Sequence, residues 1–205
     1  MAQILYTPQY KEPIGLTRVL GSNKTRTVAC VEITGKDWEM CYENSFNRWS
    51  NTKTGEYGDG IINRQEDPRR TERVGLLGET GWASLTGGQV DITYLEKGDV
   101  SDITFNGLLT DIKMSDRDYG KNYIMCITER GRYIELKSDL YVFGYVIEES
   151  ILRKFAKLVY TGWQSQDYVI NLPKKKSPVP SCSHYNYEVT VRESLPLYNG
   201  GWIFH

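Results

Sequence analysis

The sequence predicts an α/β fold in which a central mixed β-sheet is flanked by helices. Three observations carry that reading. Trp38, Cys41, Tyr42, Phe46 and Trp49 recur at helical spacing in the stretch WEMCYENSFNRW, as a helix with one apolar face requires. A second helix is punctuated at both ends, by Asp67-Pro68 at its start and Thr86-Gly87-Gly88 at its stop. Between Val90 and Ile147 the runs VDITYL, DITF, LLTDIKM, YIMCIT and LYVFGYVI are short, β-branched and aromatic. That is strand chemistry.

Taken in order, residues 1–25 are polar and irregular and read as a segment draped over the body. TVACVEI (27–33) is the first strand, and the aromatic stripe then forms the first helix, facing the core. Residues 51–66 form a loop. The helix from Asp67 to about Leu85 sets Val74, Leu77 and Gly78 on one face. A sheet meander follows. ILRKFAKLVYTGW fits either period, but its β-branched and aromatic end, KLVYTGW, points to a strand. Gln164 to Asn171 reads as a short helix, residues 173–178 as a basic loop, and 184–195 as a last strand and tail.

The chain has 205 residues, which suits one domain spanning 1–205 with its core at 67–163, since domains average about 150 residues. Twenty-five Lys and Arg nearly cancel 26 Asp and Glu, so no global field draws in a polyanion and any such partner must meet local patches. Fifteen Tyr, five Trp and five Phe suit strands and wet binding surfaces. Cys30, Cys41, Cys126 and Cys182 contain no C-x-x-C pair, and are expected to be reduced, buried thiols. With only His184 and His205, histidine-based metal sites are unsupported. The Gly-rich pieces lack the Gly-Lys-Ser/Thr of a phosphate loop. No secretion signal and no apolar run approaching the roughly 18 residues of a membrane span is visible, so a soluble, cytoplasmic protein is expected.

The most informative segment runs from Gly98 to Lys113, GDVSDITFNGLLTDIK. Asn106-Gly107 between apolar runs is a strong two-residue hairpin signal. It fixes a register in which Phe105 faces Leu108, Thr104 faces Leu109, Ile103 faces Thr110 and Asp102 faces Asp111. Lys113 falls on the same face as Asp111. Like charges directly opposite each other are destabilising, and a divalent cation bridging carboxylate oxygens is the common reason to keep them. Two acids, a hard cation and a lysine are the apparatus of metal-assisted phosphodiester hydrolysis. Glu135-Leu-Lys137 is a rival acid–lysine pair, but no local signal fixes it beside Asp111.

These residues resemble the PD-(D/E)XK nuclease superfamily, the restriction-endonuclease-like enzymes of prokaryotes and phages. The resemblance covers residues 75–145 most strongly. It is carried by Gly75-Leu-Leu-Gly78-Glu79, by Gly98-Asp-x-x-Asp102, by Asp111-x-Lys113 and by Lys137-Ser-Asp-Leu-Tyr-Val-Phe143. Asn186-Tyr-Glu-Val189 is similar to the same group. The chain departs in having Ser101 where a Pro is usual, and Asp in place of the commoner Glu at 111. The resemblance implies a restriction-endonuclease-like fold and a Mg²⁺-dependent DNA endonuclease, with Mn²⁺ able to substitute. It implies Asp102 and Asp111 as metal ligands, Lys113 as the catalytic lysine and Glu79 as a helix-borne acid reaching the metal directly or through water.

A nuclease of near-zero net charge needs local phosphate contacts. Arg69, Arg70, Arg73, Lys137, Lys174, Lys175 and Lys176 are the candidates, along with Lys24 and Arg26. Tyr57, Tyr119, Tyr185 and Trp202 are candidates for stacking on bases. Two other readings stay open on the same fold: a catalytically inactive nucleic-acid- or partner-binding module, and an RNA-processing nuclease. A homodimer is also compatible with the sequence.

Overall fold

The structure, a computed structural model, describes residues 4–20, 25–54, 67, 69–92, 103–128, 131–178 and 183–203, with the backbone alone at Trp49 and 51–54. Its elements, in chain order, are β1 (Leu5–Tyr6), β2 (Ile14–Val19), β3 (Thr25–Thr34), α1 (Gly35–Thr54), α2 (Arg70–Thr86) and β4 (Val90–Asp91). They continue with β5 (Ile103–Phe105), β6 (Leu108–Ser115), β7 (Lys121–Ile127), β8 (Leu140–Ser150), β9 (Phe155–Ser165), α3 (Gln166–Val169), β10 (Lys174–Lys176) and β11 (Tyr185–Thr190). The result is a mixed α/β fold.

Six strands form the central sheet in the order β2-β3-β9-β8-β6-β5. All its neighbours are antiparallel except β6 and β8, which are parallel. A parallel pair needs a long crossover, and here residues 116–139 supply it. The expected meander is corrected at this point. β7 lies in that crossover but leaves the central sheet and pairs with β11, which also pairs with β10. A two-stranded pairing of β1 with β4 ties the N-terminal segment to the end of α2.

Both faces of the central sheet are covered. On one side α1 and α2 pack on Ala29, Val31, Ile33, Ile112, Val142, Leu158 and Tyr160. On the other, Tyr141 and Phe143 of β8 pack against Ile124, Cys126, Tyr187, Val189 and Val169 of the smaller sheet and α3. With both faces dry, β8 reads as an unbroken apolar run, as interior strands do.

Helix α2 is the keystone of the helical layer, with Leu76, Leu77, Trp82 and Leu85 fully buried. Its close approach to β6 depends on Gly78, where a Cβ would lie 1.9 Å from Met114 Cγ. Trp82 meets Phe105 and Tyr160 edge to face at 5.6 and 5.5 Å, so the helix also anchors the first strand of the β5–β6 hairpin. Gly87, at φ +70°, closes α2 in the left-handed conformation that glycine adopts freely.

Five local expectations change. Residues 14–19 form an edge strand, not a draped segment, because Ile14–Val19 pairs with Thr25–Cys30. Phe46 is exposed, so the inward stripe of α1 is Trp38, Cys41 and the half-buried Tyr42. Asp67 is not the N-cap; Arg69 holds that position, and the Asp67 carboxylate accepts the Arg69 N–H at 3.0 Å. Residues 174–176 are a strand rather than a loop, because β11 offers them an antiparallel partner. Residues 51–54, expected to open the loop at 51–66, instead continue α1 to Thr54; the rest of that loop, 55–66, and Pro68 lie outside the described residues. No helix among the described residues is long and apolar enough to cross a membrane.

Candidate functional site

The Asn106-Gly107 turn forms with both residues at positive φ, 50° and 78°, as a type I′ hairpin turn needs. The ladder then runs Phe105–Leu108, Thr104–Leu109 and Ile103–Thr110, the register expected from the turn. Asp102 is the next position along and lies outside the described residues, as does Asp99. The Leu109 N–H donates to Asp139 Oδ2 at 2.8 Å, which fastens the start of β6 to the start of β8.

Alternation along β6 sends Thr110, Ile112 and Met114 toward α2, and Asp111 and Lys113 to the opposite side. There Lys113 Nζ lies 2.7 Å from Asp111 Oδ2, and the two side chains are 35% and 19% exposed. Across the parallel ladder Asp111 is level with Tyr141, and Lys113 with Phe143. Tyr141 is buried; burial first, then the nearby Asp111 and Tyr187, push its pKa well up. Its hydroxyl therefore stays protonated at any physiological pH.

Glu79 is not brought to this face. It sits on α2, on the helix side of β6, with only 4% of its surface exposed. Arg48 of α1 grips both its oxygens, at 2.6 and 2.8 Å, and also donates to the Asp91 carbonyl at 3.1 Å. This fork joins α1, α2 and β4. Sequence reasoning missed Arg48, although it sits seven residues after the buried Cys41, two helical turns along the same face. The Cys41 thiol, pushed up to about 12 mainly by burial, is inert at neutral pH. Among the described residues no group of three or more His, Cys, Asp or Glu forms a metal cluster.

The rival pair, Glu135 and Lys137, is exposed in an irregular stretch that precedes the β6–β8 ladder. The basic candidates divide by layer. Arg73 is buried between Asp67, at 2.5 Å, and Glu149, so its guanidinium is committed to the fold. Arg69 bonds Asp67 and lies 5.0 Å over the Tyr42 ring. Arg70 stands at the surface, 4.0 Å from Asp116. Arg26 is buried, donating to the carbonyls of Thr161, Val191 and Ser194 and to Ser194 Oγ. Lys174, Lys175 and Lys176 are exposed on β10, in the layer that packs on the Asp111 side of the sheet. Lys137 is exposed next to Leu136, which packs on the same cluster as Tyr141.

No protein-family model matches the chain, and neither a curated protein nor a solved structure does.

Proposed function

We propose that this chain is a Mg²⁺-dependent endonuclease of the PD-(D/E)XK type that hydrolyses DNA phosphodiester bonds in a restriction-type or phage-encoded setting. The observation that carries the reading is the β5–β6 hairpin, whose register follows its Asn-Gly turn and whose second strand holds Asp111 and Lys113 2.7 Å apart on the side away from α1 and α2. The donor chemistry fits a hard cation. Asp111 offers carboxylate oxygens at a solvent-accessible position beside a single lysine, whereas the oxygens of Glu79 are already held by Arg48.

Asp111, with Asp102 as the second acid, would hold the ion, which supplies Lewis acidity for in-line hydrolysis. Lys113 donates a hydrogen bond from Nζ to the attacking water or to a non-bridging phosphate oxygen, where negative charge develops. Tyr141 walls the site on the β8 side and keeps its proton throughout. Glu79 acts through Arg48 to hold the helices in place and needs no contact with the ion.

Nicking of a supercoiled plasmid tests this reading. Wild-type protein is expected to nick in Mg²⁺ or Mn²⁺ and to stop in EDTA, and Asp111→Ala is expected to be inactive while still folded. Nicking that survives EDTA or Asp111→Ala overturns the site. Faster cleavage of an RNA transcript of the same sequence would assign the chain to RNA processing instead.

A further inference from the structure

We propose that β10 and Tyr133 form a binding track for a single-stranded nucleic-acid segment, with phosphates on Lys174 and Lys176 and a base stacked on Tyr133. Its direction, toward Asp111, rests on the nuclease reading; its existence does not. Three consecutive lysines occupy β10, the outer strand of the smaller sheet, and all three are exposed. Lys175 is tied down, pairing at 2.8 Å with Glu188, which also holds Lys121 at 3.1 Å. Lys174 and Lys176 point the other way by alternation, and among the described residues no carboxylate pairs with either.

That face also carries tyrosines. Tyr133 bridges to Ile127, Ile127 pairs with Tyr185, and Tyr185 pairs with Lys176. One row across the sheet thus reads Tyr, Ile, Tyr, Lys, with the two tyrosine backbones two strands, or roughly 10 Å, apart. Tyr133 is 74% exposed and Tyr185 39%. Lys174 Nζ lies 4.5 Å from the Tyr133 ring centroid, which covers one face of the ring. A stack of lysine, tyrosine and base is a cation–π and stacking arrangement that any base can join. A duplex hides its base faces, so the arrangement selects unpaired nucleotides. The neighbouring rung, Lys174, Tyr187 and Ile124, sets the track against the central sheet, because Tyr187 shares a buried cluster with Tyr141 and Tyr141 is level with Asp111.

Lysines on an edge strand also block edge-to-edge aggregation. That role needs charge alone and has no use for Tyr133.

The test is fluorescence anisotropy in EDTA with a labelled oligo-dT of about 15 nucleotides, an equal-length duplex and an acidic peptide, poly-glutamate, over a salt series. Wild-type protein is expected to favour the single strand. The double variant Lys174→Ala/Lys176→Ala should lower the salt slope by about 1.4, two phosphates at about 0.7 each, while the Lys→Arg pair retains binding. Tyr133→Ala should weaken single-strand binding by about fivefold or more, Tyr133→Phe should not, and duplex binding should be indifferent to both. An unchanged slope in the double variant, equal affinity for duplex or poly-glutamate, or no effect of Tyr133→Ala overturns the track. If these results hold but the plasmid is never nicked, the track stands and the nuclease reading falls. Nicking with wild-type binding by all the variants gives the reverse.

Discussion

At the scale of single residues, the structure separates two acids, Asp111 and Glu79, that the family resemblance placed in one site. Asp111 is partly exposed beside Lys113 on the side of the smaller sheet, whereas Glu79 is buried and forked by Arg48. The motif pattern around Glu79 was readable; its partner was not, because Arg48 lies 31 positions away and only folding brings α1 alongside α2. Breaking a buried pair strands a charge, at a cost of about 3–5 kcal/mol. Arg48→Ala should therefore lower stability by about that amount in urea unfolding. Arg48→Met combined with Glu79→Leu should recover most of it, since no unpaired charge remains. A double variant as unstable as Arg48→Ala would mean that the ion pair itself is required. Alternation made the shared face of Asp111 and Lys113 legible, because it needs only a strand and a count of two.

The elements show which signals travel through sequence and which do not. The hairpin register was fixed by Asn106-Gly107 and is seen at three successive pairs. The stop of helix α2 was marked by Thr86-Gly87-Gly88, and Gly87 ends it, whereas its first residue is Arg70 and not Asp67 or Pro68. Both signals are local. Two misreadings have a common cause: β2 is a largely exposed edge strand interrupted by Gly15 and β10 is three lysines, and both become strands because β3 and β11 offer them hydrogen-bonding partners. Likewise nothing within YIMCIT says that it joins β11 rather than β6. The contact of α2 with β6 gives a sharp test at this scale. Gly78→Ala would put a methyl group into Met114, and overpacking of this kind costs about 1–3 kcal/mol. Met114→Ala should rescue it in part, giving a double variant more stable than Gly78→Ala alone. If Gly78→Ala is neutral in thermal melting, the close approach of α2 to β6 is wrong.

Across the whole molecule, charge pairs stitch the layers, and pH reads them out. Asp67 is partly buried, which raises its pKa, but its bonds from Arg73 and Arg69 outweigh that and hold it below the usual carboxylate value. The Lys175 bond, assisted by Lys121, does the same for Glu188 against a smaller effect of burial. A carboxyl with a depressed native pKa stabilises the fold above its unfolded value, about 4, and that stabilisation is lost as pH falls through the native value. The melting temperature should therefore drop below about pH 4, and Glu188→Gln should flatten the fall. Glu72 has the opposite sign, since burial raises its pKa; Glu72→Gln should be neutral or stabilising at pH 7. A melting temperature independent of pH between 5 and 3 would contradict these assignments. The overall α/β class was legible because α1, α2 and most strands announce themselves locally. The division of the cations into a buried arginine group and an exposed lysine strand was not, because it depends on which layer each element joins. In the proposed reaction Lys113 acts on a phosphodiester held by the cation at Asp111. Single-turnover cleavage by Lys113→Ala reads this out: its rate is expected to fall roughly 100- to 1000-fold, and a rate near that of the wild type rules the role out.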